Sequence, residues 1–78
     1  MKVEILGRPE CGYCTRAVEL CQEHRVPYTY TDIYDDQAAM QRIMDIRANT
    51  VPQIWIDGEH VGGFRQLEER MEKLNAEE

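Results

Sequence analysis

Two cysteines three positions apart are the residues of this sequence best suited to chemistry. Cys11 and Cys14 enclose Gly12-Tyr13 and follow a turn that ends a short apolar stretch. The pattern C-x-x-C beside a βαβ pattern is typical of thiol–disulfide redox sites. If Cys11 begins a helix, the unpaired backbone N–H groups and the helix dipole favour its thiolate. Cys14 would then lie about one turn deeper, close enough to resolve a mixed disulfide on Cys11.

A zinc site is a second interpretation of the cysteines. Cys11, Cys14, Cys21 and His24 follow the order C-x2-C-x6-C-x2-H, which resembles a zinc knuckle. On one helix, however, Cys14 and Cys21 lie about 10 Å apart along the axis, more than ligands at about 2.0 to 2.3 Å from one ion can bridge. We therefore interpret Cys21 as a small core residue, and His24 and His60 as structural or exposed side chains.

A pair of inert cysteines is the third interpretation. A disulfide between Cys11 and Cys14 would close too short a loop to restrain much of the chain, so stability does not explain the pair. A turn flanked by Arg8 and Glu10 is also expected to be exposed, whereas inert cysteines are buried. The redox interpretation is therefore favoured.

The composition limits the class of protein. The chain has 78 residues, 42% of them apolar, so we expect one domain over residues 1–78. Nine basic residues against fifteen acidic ones give a net charge of -6, which argues against nucleic acid as a ligand. The N-terminal region lacks the apolar run of a signal peptide, and no stretch is long enough to span a membrane. We expect a monomer in the cytoplasm, where cysteines serve redox or metal chemistry.

The pattern of apolar residues predicts the order β-α-β-α-β-β-α, an α/β fold with a four-stranded mixed sheet flanked by three helices. Strands are predicted over 2–6, 27–33, 53–56 and 59–61, and the third, apolar throughout, is predicted to be central. Helices are predicted from Gly12, after a cap at Asp35 or Asp36, and after Gly62-Gly63. Asp57-Gly58 predicts a tight hairpin. Residues 75–78 are expected to fray.

The predicted helices each present an apolar face to the core. The residues expected on these faces are Ala17, Leu20, Cys21 and His24 in the first helix, Ala39, Met40, Ile43, Met44 and Ile46 in the second, and Leu67, Met71 and Leu74 in the third.

Three motifs, in this order and spacing, resemble those of glutaredoxins: Cys11-Gly12-Tyr13-Cys14, Thr50-Val51-Pro52-Gln53 and Gly62-Gly63. The resemblance covers nearly the whole chain and implies a thioredoxin-like fold. It also implies a dithiol mechanism, with Cys11 as nucleophile, Cys14 as resolving thiol and glutathione as co-substrate. The implied substrates are protein disulfides and glutathione mixed disulfides, with ribonucleotide reductase as a client by family analogy.

The resemblance further implies a groove for glutathione. In the family, the proline that matches Pro52 is cis, and the turn leaves the backbone of Val51 free to pair with an extended peptide. Gly62 and Gly63 allow close backbone approach, and the N–H groups that begin the last helix can bind a carboxylate. Tyr13 is expected to form one wall. The other positions implied by the family are Arg8, which faces the glycine end of glutathione, Thr50, Phe64 and a basic position matched by Arg47.

Two departures from the family pattern keep two alternatives open. Phe64-Arg65-Gln66 stands where glutaredoxins usually have a small or polar residue and then an acidic one that holds the amino group of glutathione. Gly-Phe-Arg is also similar to the redoxins that serve ribonucleotide reductase and take electrons from thioredoxin reductase. Gly12 replaces a common proline, and some glutaredoxins with a small residue there hold a [2Fe-2S] cluster between two subunits. Visible absorption after anaerobic reconstitution tests this cluster-carrier alternative.

Overall fold

The computed structural model describes residues Met1 to Ala76 and has the predicted order of elements. The four strands are β1 (Val3–Gly7), β2 (Tyr28–Asp32), β3 (Gln53–Ile56) and β4 (Glu59–Gly62). The three helices are α1 (Gly12–Glu23), α2 (Gln37–Asp45) and α3 (Phe64–Ala76). The fold is thus the predicted α/β arrangement of one mixed sheet and three helices.

The strands form one sheet in the order β2-β1-β3-β4. β1 and β2 are parallel, which α1 makes possible by crossing from the end of one strand to the start of the next. β1 with β3 and β3 with β4 are antiparallel pairs. Asp57 and Gly58 both have positive φ, 51° and 85°, as a two-residue type I′ hairpin requires. The hairpin predicted from Asp57-Gly58 is therefore confirmed.

The helices cover both faces of the sheet. One face packs on α1 and α3, around a cluster of fully or nearly buried apolar residues: Val3, Ile5, Ala17, Cys21, Val26, Ile54, Ile56, Leu67 and Met71. The other face packs on α2, around Leu6, Ile33, Ala39, Ile43 and Trp55. All four residues of β3 are buried, which confirms that this strand is central. Full burial of a side chain such as Leu67 or Met71 contributes about 1.5 to 3 kcal/mol.

α2 confirms the predicted N-cap but not the whole of the predicted inward face. Asp36 caps α2 by accepting a hydrogen bond from the backbone N–H of Ala39 at 2.9 Å. Met44 was predicted to point inward, but its residue surface is 61% exposed, so that prediction is wrong. The inward stripe of this short helix is Ala39 and Ile43, four residues apart, and Met44 lies about 100° around the axis from Ile43.

The end of the chain differs from the predicted fraying in part. α3 includes residues 75 and 76, since its last residue is Ala76. Residues 77 and 78 of the predicted frayed tail lie outside the described residues.

Candidate active site

Cys11 is the N-cap of α1, and the structure joins it to Cys14 in a disulfide with the two Cα atoms 5.3 Å apart. The backbone at Cys11 is extended, and its Sγ accepts a hydrogen bond from the N–H of Cys14 at 3.2 Å. The first turn of α1 contains no acidic residue that would oppose a negative charge on this sulfur. Cys11 is half-buried, whereas Cys14 is only 2% exposed. One sulfur is therefore accessible, and the other lies behind it.

A turn before β3 brings a second set of residues beside Cys11. The peptide bond between Val51 and Pro52 is cis, as the family resemblance implied. The Sγ of Cys11 lies 3.8 Å from the carbonyl oxygen of Val51. Pro52 and Gln53 are buried, while Val51 is half-buried, so the turn is anchored in the core and reaches the surface at the disulfide.

A cavity of about 390 Å³ opens between this turn and the start of α3. It brings together six of the residues predicted for a glutathione groove: Tyr13, Thr50, Val51, Pro52, Gly63 and Phe64. The rings of Tyr13 and Phe64 lie 5.8 Å apart and form a wall between α1 and α3. Tyr13 is 57% exposed, so its ring offers free surface to a ligand.

The cavity is also lined by Arg16, Arg65, Gln66 and Glu68, which the sequence analysis did not assign to the groove, and Arg16 contacts both rings of the wall. Its guanidinium carbon lies 5.3 Å from the centre of the Tyr13 ring and 4.8 Å from that of Phe64, within the range of cation–π attraction. Within the described residues it forms no ion pair, and it lines both this groove and a neighbouring cavity that includes Glu19, Glu23 and Glu68. The only local signal was its position three residues after Tyr13, which places both side chains on one side of α1.

A side chain from the first turn of α3 occupies a backbone N–H at the start of this helix. Gly63 precedes the helix, and its backbone N–H donates to Oε1 of Gln66 at 2.9 Å. This contact is one half of a capping box, in which a side chain in the first turn satisfies the N–H of the capping residue. Gly62 has a φ of 122°, and a Cβ there would lie 3.0 Å from Gln66. The N–H of Gly63, the residue immediately before α3, is thus already occupied by Gln66.

Arg8 and Arg47, also predicted to contact glutathione, do not line this groove. Arg8 lies on the other side of the disulfide, at a cavity of about 590 Å³ that also includes Cys14, Tyr28 and Tyr30. Its guanidinium donates to the carbonyl oxygen of Pro9 at 3.3 Å. Arg47 lies just after α2, with a φ of 55°. The structure therefore places Arg8 beside the disulfide and, at a smaller cavity, beside Thr50 and Val51, whereas Arg47 lines neither of these cavities.

The third cysteine belongs to the core and not to the site. Cys21 is fully buried, and burial raises the pKa of its thiol to about 11. Such a thiol is almost entirely neutral near pH 7, in keeping with a packing role. Within Met1–Ala76 no group of three or more His, Cys, Asp or Glu side chains could hold a metal ion. In the same range no helix is both long and apolar enough to cross a membrane.

The comparison with known proteins assigns the family. The glutaredoxin family model matches residues 3–61 of the chain. The chain belongs to the glutaredoxin family. It is 37% identical over 76 residues to a glutaredoxin of Vibrio cholerae, with 87% of each chain covered. The crystal structure of Francisella tularensis glutaredoxin 1 in complex with cacodylate is 34% identical, with 96% of each chain covered and a TM-score of 0.76. The protein is therefore a thiol–disulfide oxidoreductase of the glutaredoxin family with a dithiol motif.

Two further structures establish likeness of fold alone. A buckwheat glutaredoxin–glutathione complex is 24% identical, with a TM-score of 0.76; 91% of this chain and 68% of that one are covered. The glutaredoxin-like NrdH-redoxin of Escherichia coli is 15% identical, with a TM-score of 0.79 and 95% of each chain covered. Glutaredoxins and that redoxin share one thioredoxin-like architecture, so the fold alone does not determine the function.

Proposed function

We propose that this glutaredoxin is a glutathione-dependent oxidoreductase that reduces protein disulfides and glutathione mixed disulfides. The observation that carries the proposal is the position of Cys11, whose sulfur caps α1 and lies 3.8 Å from the Val51 carbonyl oxygen at the edge of the groove. A thiolate there is stabilised by the helix N-terminus and stands beside a surface that can hold a peptide.

The reaction follows from which sulfur is accessible. In the reduced protein, the Cys11 thiolate attacks one sulfur of a substrate disulfide, forms a mixed disulfide and releases the other sulfur as a thiolate. Cys14 then loses its proton and attacks Sγ of Cys11, which releases the second substrate sulfur and forms the Cys11–Cys14 disulfide. Two molecules of glutathione reduce that disulfide and leave as oxidised glutathione, which glutathione reductase returns to the thiol with electrons from NADPH.

The groove supplies three kinds of contact for the glutathione backbone and its charges. The backbone of Val51 can pair with an extended peptide, as in strand addition. Tyr13 and Phe64 offer ring surface. Arg16 and Arg65, which line the same cavity together with the single acidic residue Glu68, complement carboxylates. The complex of a buckwheat glutaredoxin with glutathione supports this choice of ligand.

The test is a coupled assay that measures NADPH consumption with glutathione, glutathione reductase and a small mixed disulfide. We expect activity in the parent protein, loss of at least about a thousandfold in Cys11→Ser, since the nucleophile is gone, and retention in Cys21→Ala. Cys21→Ala is the matched control, because it removes a cysteine outside the reacting pair. Activity retained in Cys11→Ser would contradict the assignment of the nucleophile. An inactive parent protein would contradict glutathione as the reductant.

A redoxin that takes electrons from thioredoxin reductase is the second candidate. It is favoured by Phe64-Arg65-Gln66, where Gln66 already occupies the N–H of Gly63 at the start of α3. In the same assay, thioredoxin reductase replaces glutathione and its reductase. Activity with thioredoxin reductase, together with no activity with glutathione and glutathione reductase, would establish this candidate and exclude the first.

Two further proposals concern the setting of the reaction. We propose the cytoplasm as its location, because the cycle needs a reducing compartment that returns Cys11 and Cys14 to thiols.

We propose ribonucleotide reductase as one client, since both candidate functions end in the reduction of a protein disulfide. Reduction of its oxidised cysteine pair by the purified parent protein, but not by Cys14→Ser, tests the second proposal.

A further inference from the structure

A chain of hydrogen bonds connects β4 to the turn beside Cys11, and the thiol chemistry described above does not use it. Nε2 of His60 lies 2.8 Å from Oε1 of Gln53. Nε2 of Gln53 donates to the carbonyl oxygen of Thr50 at 3.0 Å, and its distance to Oγ1 of Thr50 is 3.4 Å. The Gln53 side chain therefore reaches back across Val51 and Pro52 and closes the turn on itself.

The partners fix the direction of these bonds. A carbonyl oxygen can only accept, so the group of Gln53 that faces Thr50 must be the amide nitrogen. The amide oxygen then faces His60, which must donate through Nε2. Both the neutral ring protonated at Nε2 and the imidazolium can do so. The bond from His60 to Gln53 thus requires a proton on Nε2 but does not require the ring to be charged.

Gln53 and His60 are each held in place by their surroundings as well as by the hydrogen bond between them. Gln53 is only 8% exposed, so its amide has little access to water as a substitute partner. His60 stands opposite Trp55 in the β3–β4 ladder, with the two ring centres 4.8 Å apart. Trp55 is in turn covered by Arg42, whose guanidinium carbon lies 4.2 Å from the ring centre. The stacking on Trp55 therefore holds the His60 ring in an orientation from which Nε2 donates to Gln53.

We propose that His60 is a positioning residue for peptide substrates, acting through Gln53 on the turn that presents the backbone of Val51. Without the donor, the amide oxygen of Gln53, a residue that is only 8% exposed, loses its hydrogen-bond partner, and turning the amide toward another donor breaks its contacts with Thr50. The turn then loses the bond that sets the position of Val51 beside the Cys11 sulfur. This inference rests on the proposed pairing of substrates with Val51, but not on glutathione as the reductant.

The test uses the reduced protein without glutathione and two disulfides that differ in backbone. One is the disulfide dimer of a capped Ala-Cys-Ala peptide, and the other is bis(2-hydroxyethyl) disulfide, which has no peptide group. We expect His60→Leu to lower the second-order rate constant for the peptide disulfide about five- to tenfold. The rate with the small disulfide is expected to stay within about twofold. His60→Gln keeps an N–H donor and is expected to restore the peptide rate.

Gln53→Leu provides the second arm, together with the double variant of Gln53 and His60. If His60 acts through Gln53, His60→Leu has no further effect on the peptide rate once Gln53 is replaced. Thermal unfolding of each variant identifies any that fail to fold. The proposal is overturned if His60→Leu slows both disulfides equally, if it slows neither, or if the two substitutions are additive. Because glutathione is absent from these reactions, the result does not depend on the outcome of the coupled assay.

Discussion

Gly7→Ala is expected to destabilise the protein because Gly7 has no room for a methyl group. A Cβ at this position would lie 2.7 Å from Sγ of Cys14, 2.7 Å from the hydroxyl oxygen of Tyr30 and 2.9 Å from Cε2 of the same ring. Real Cβ atoms do not approach other atoms so closely, so something must shift. The φ of Gly7 is not positive, and the cost is therefore one of space and not of backbone strain.

The size of the effect follows from which neighbour can move. Tyr30 is 41% exposed, and its ring can swing outward if it gives up the hydrogen bond from its hydroxyl to the carbonyl oxygen of Arg8 at 3.3 Å, a loss of about 1 kcal/mol. Cys14 is buried and bonded to Cys11, so its sulfur can move only with the first turn of α1. Overpacking of this kind costs about 1 to 3 kcal/mol. We expect a loss of about 2 kcal/mol, or a fall in Tm of roughly 8 to 16 °C for a domain of this size.

The measurement is urea unfolding of the oxidised protein, with Gly12→Ala as the matched control. A Cβ at Gly12 meets no atom within 4 Å, so this substitution is expected to be neutral or slightly stabilising. Adding Tyr30→Ala to Gly7→Ala is expected to recover only part of the loss, since the contact with Cys14 remains. The reasoning is refuted if Gly7→Ala and Gly12→Ala have the same free energy of unfolding within about 0.5 kcal/mol.

Three further substitutions test single contacts. Because the pKa of Cys21 is about 11 in the folded protein and 9.0 is its ordinary value, the unfolded thiol ionises first. Stability should therefore fall between pH 9 and 11, by roughly 2 to 3 kcal/mol more in the parent protein than in Cys21→Ala, as urea unfolding across this pH range can measure. Asp36→Ala should cost about 1 kcal/mol in urea unfolding through loss of the α2 cap, whereas Asp35→Ala should not. Arg16→Gln should raise the KM for a glutathione mixed disulfide about two- to fivefold, with little change in kcat; an unchanged KM would show that the stacked guanidinium does not shape the groove.

Much of the fold follows from local signals in the sequence. Asp57-Gly58 predicts its own hairpin because few residues adopt two successive positive φ angles. Asp35 and Asp36 predict the start of α2 because a carboxylate there can accept from the third backbone N–H beyond it, and the structure shows that Asp36 is the cap. The inward face of α2 is a different matter, since Met44 has the apolar character of a core residue but the wrong angular position. Helix phase depends on how the helix lies on the sheet, which local sequence does not determine.

The residues of the candidate site also differ in whether local sequence predicts them. The pairing of Cys11 with Cys14 depends on one turn of one helix and could be predicted from spacing. The stacking of Arg16 could not, because Phe64 reaches it from an element almost fifty residues later in the chain. The contact between Gln53 and His60 likewise joins two strands whose register shifts at the Ile54/Trp55 step. Residues that act through tertiary contacts carry no signature in their immediate neighbourhood.

The departure from the family pattern at the start of α3 has a physical meaning that bears on the electron donor. Gln66 satisfies the Gly63 N–H with a neutral amide oxygen, so an arriving carboxylate exchanges a neutral hydrogen bond for a charge-assisted one, which is about twice as strong. A carboxylate ligand such as glutathione therefore gains less from this N–H than it would from an open one. A protein donor that docks by surface contact makes no such exchange. Gln66→Ala should therefore strengthen the dependence on glutathione and leave reduction by thioredoxin reductase unchanged, and the coupled assays with the two donors measure both.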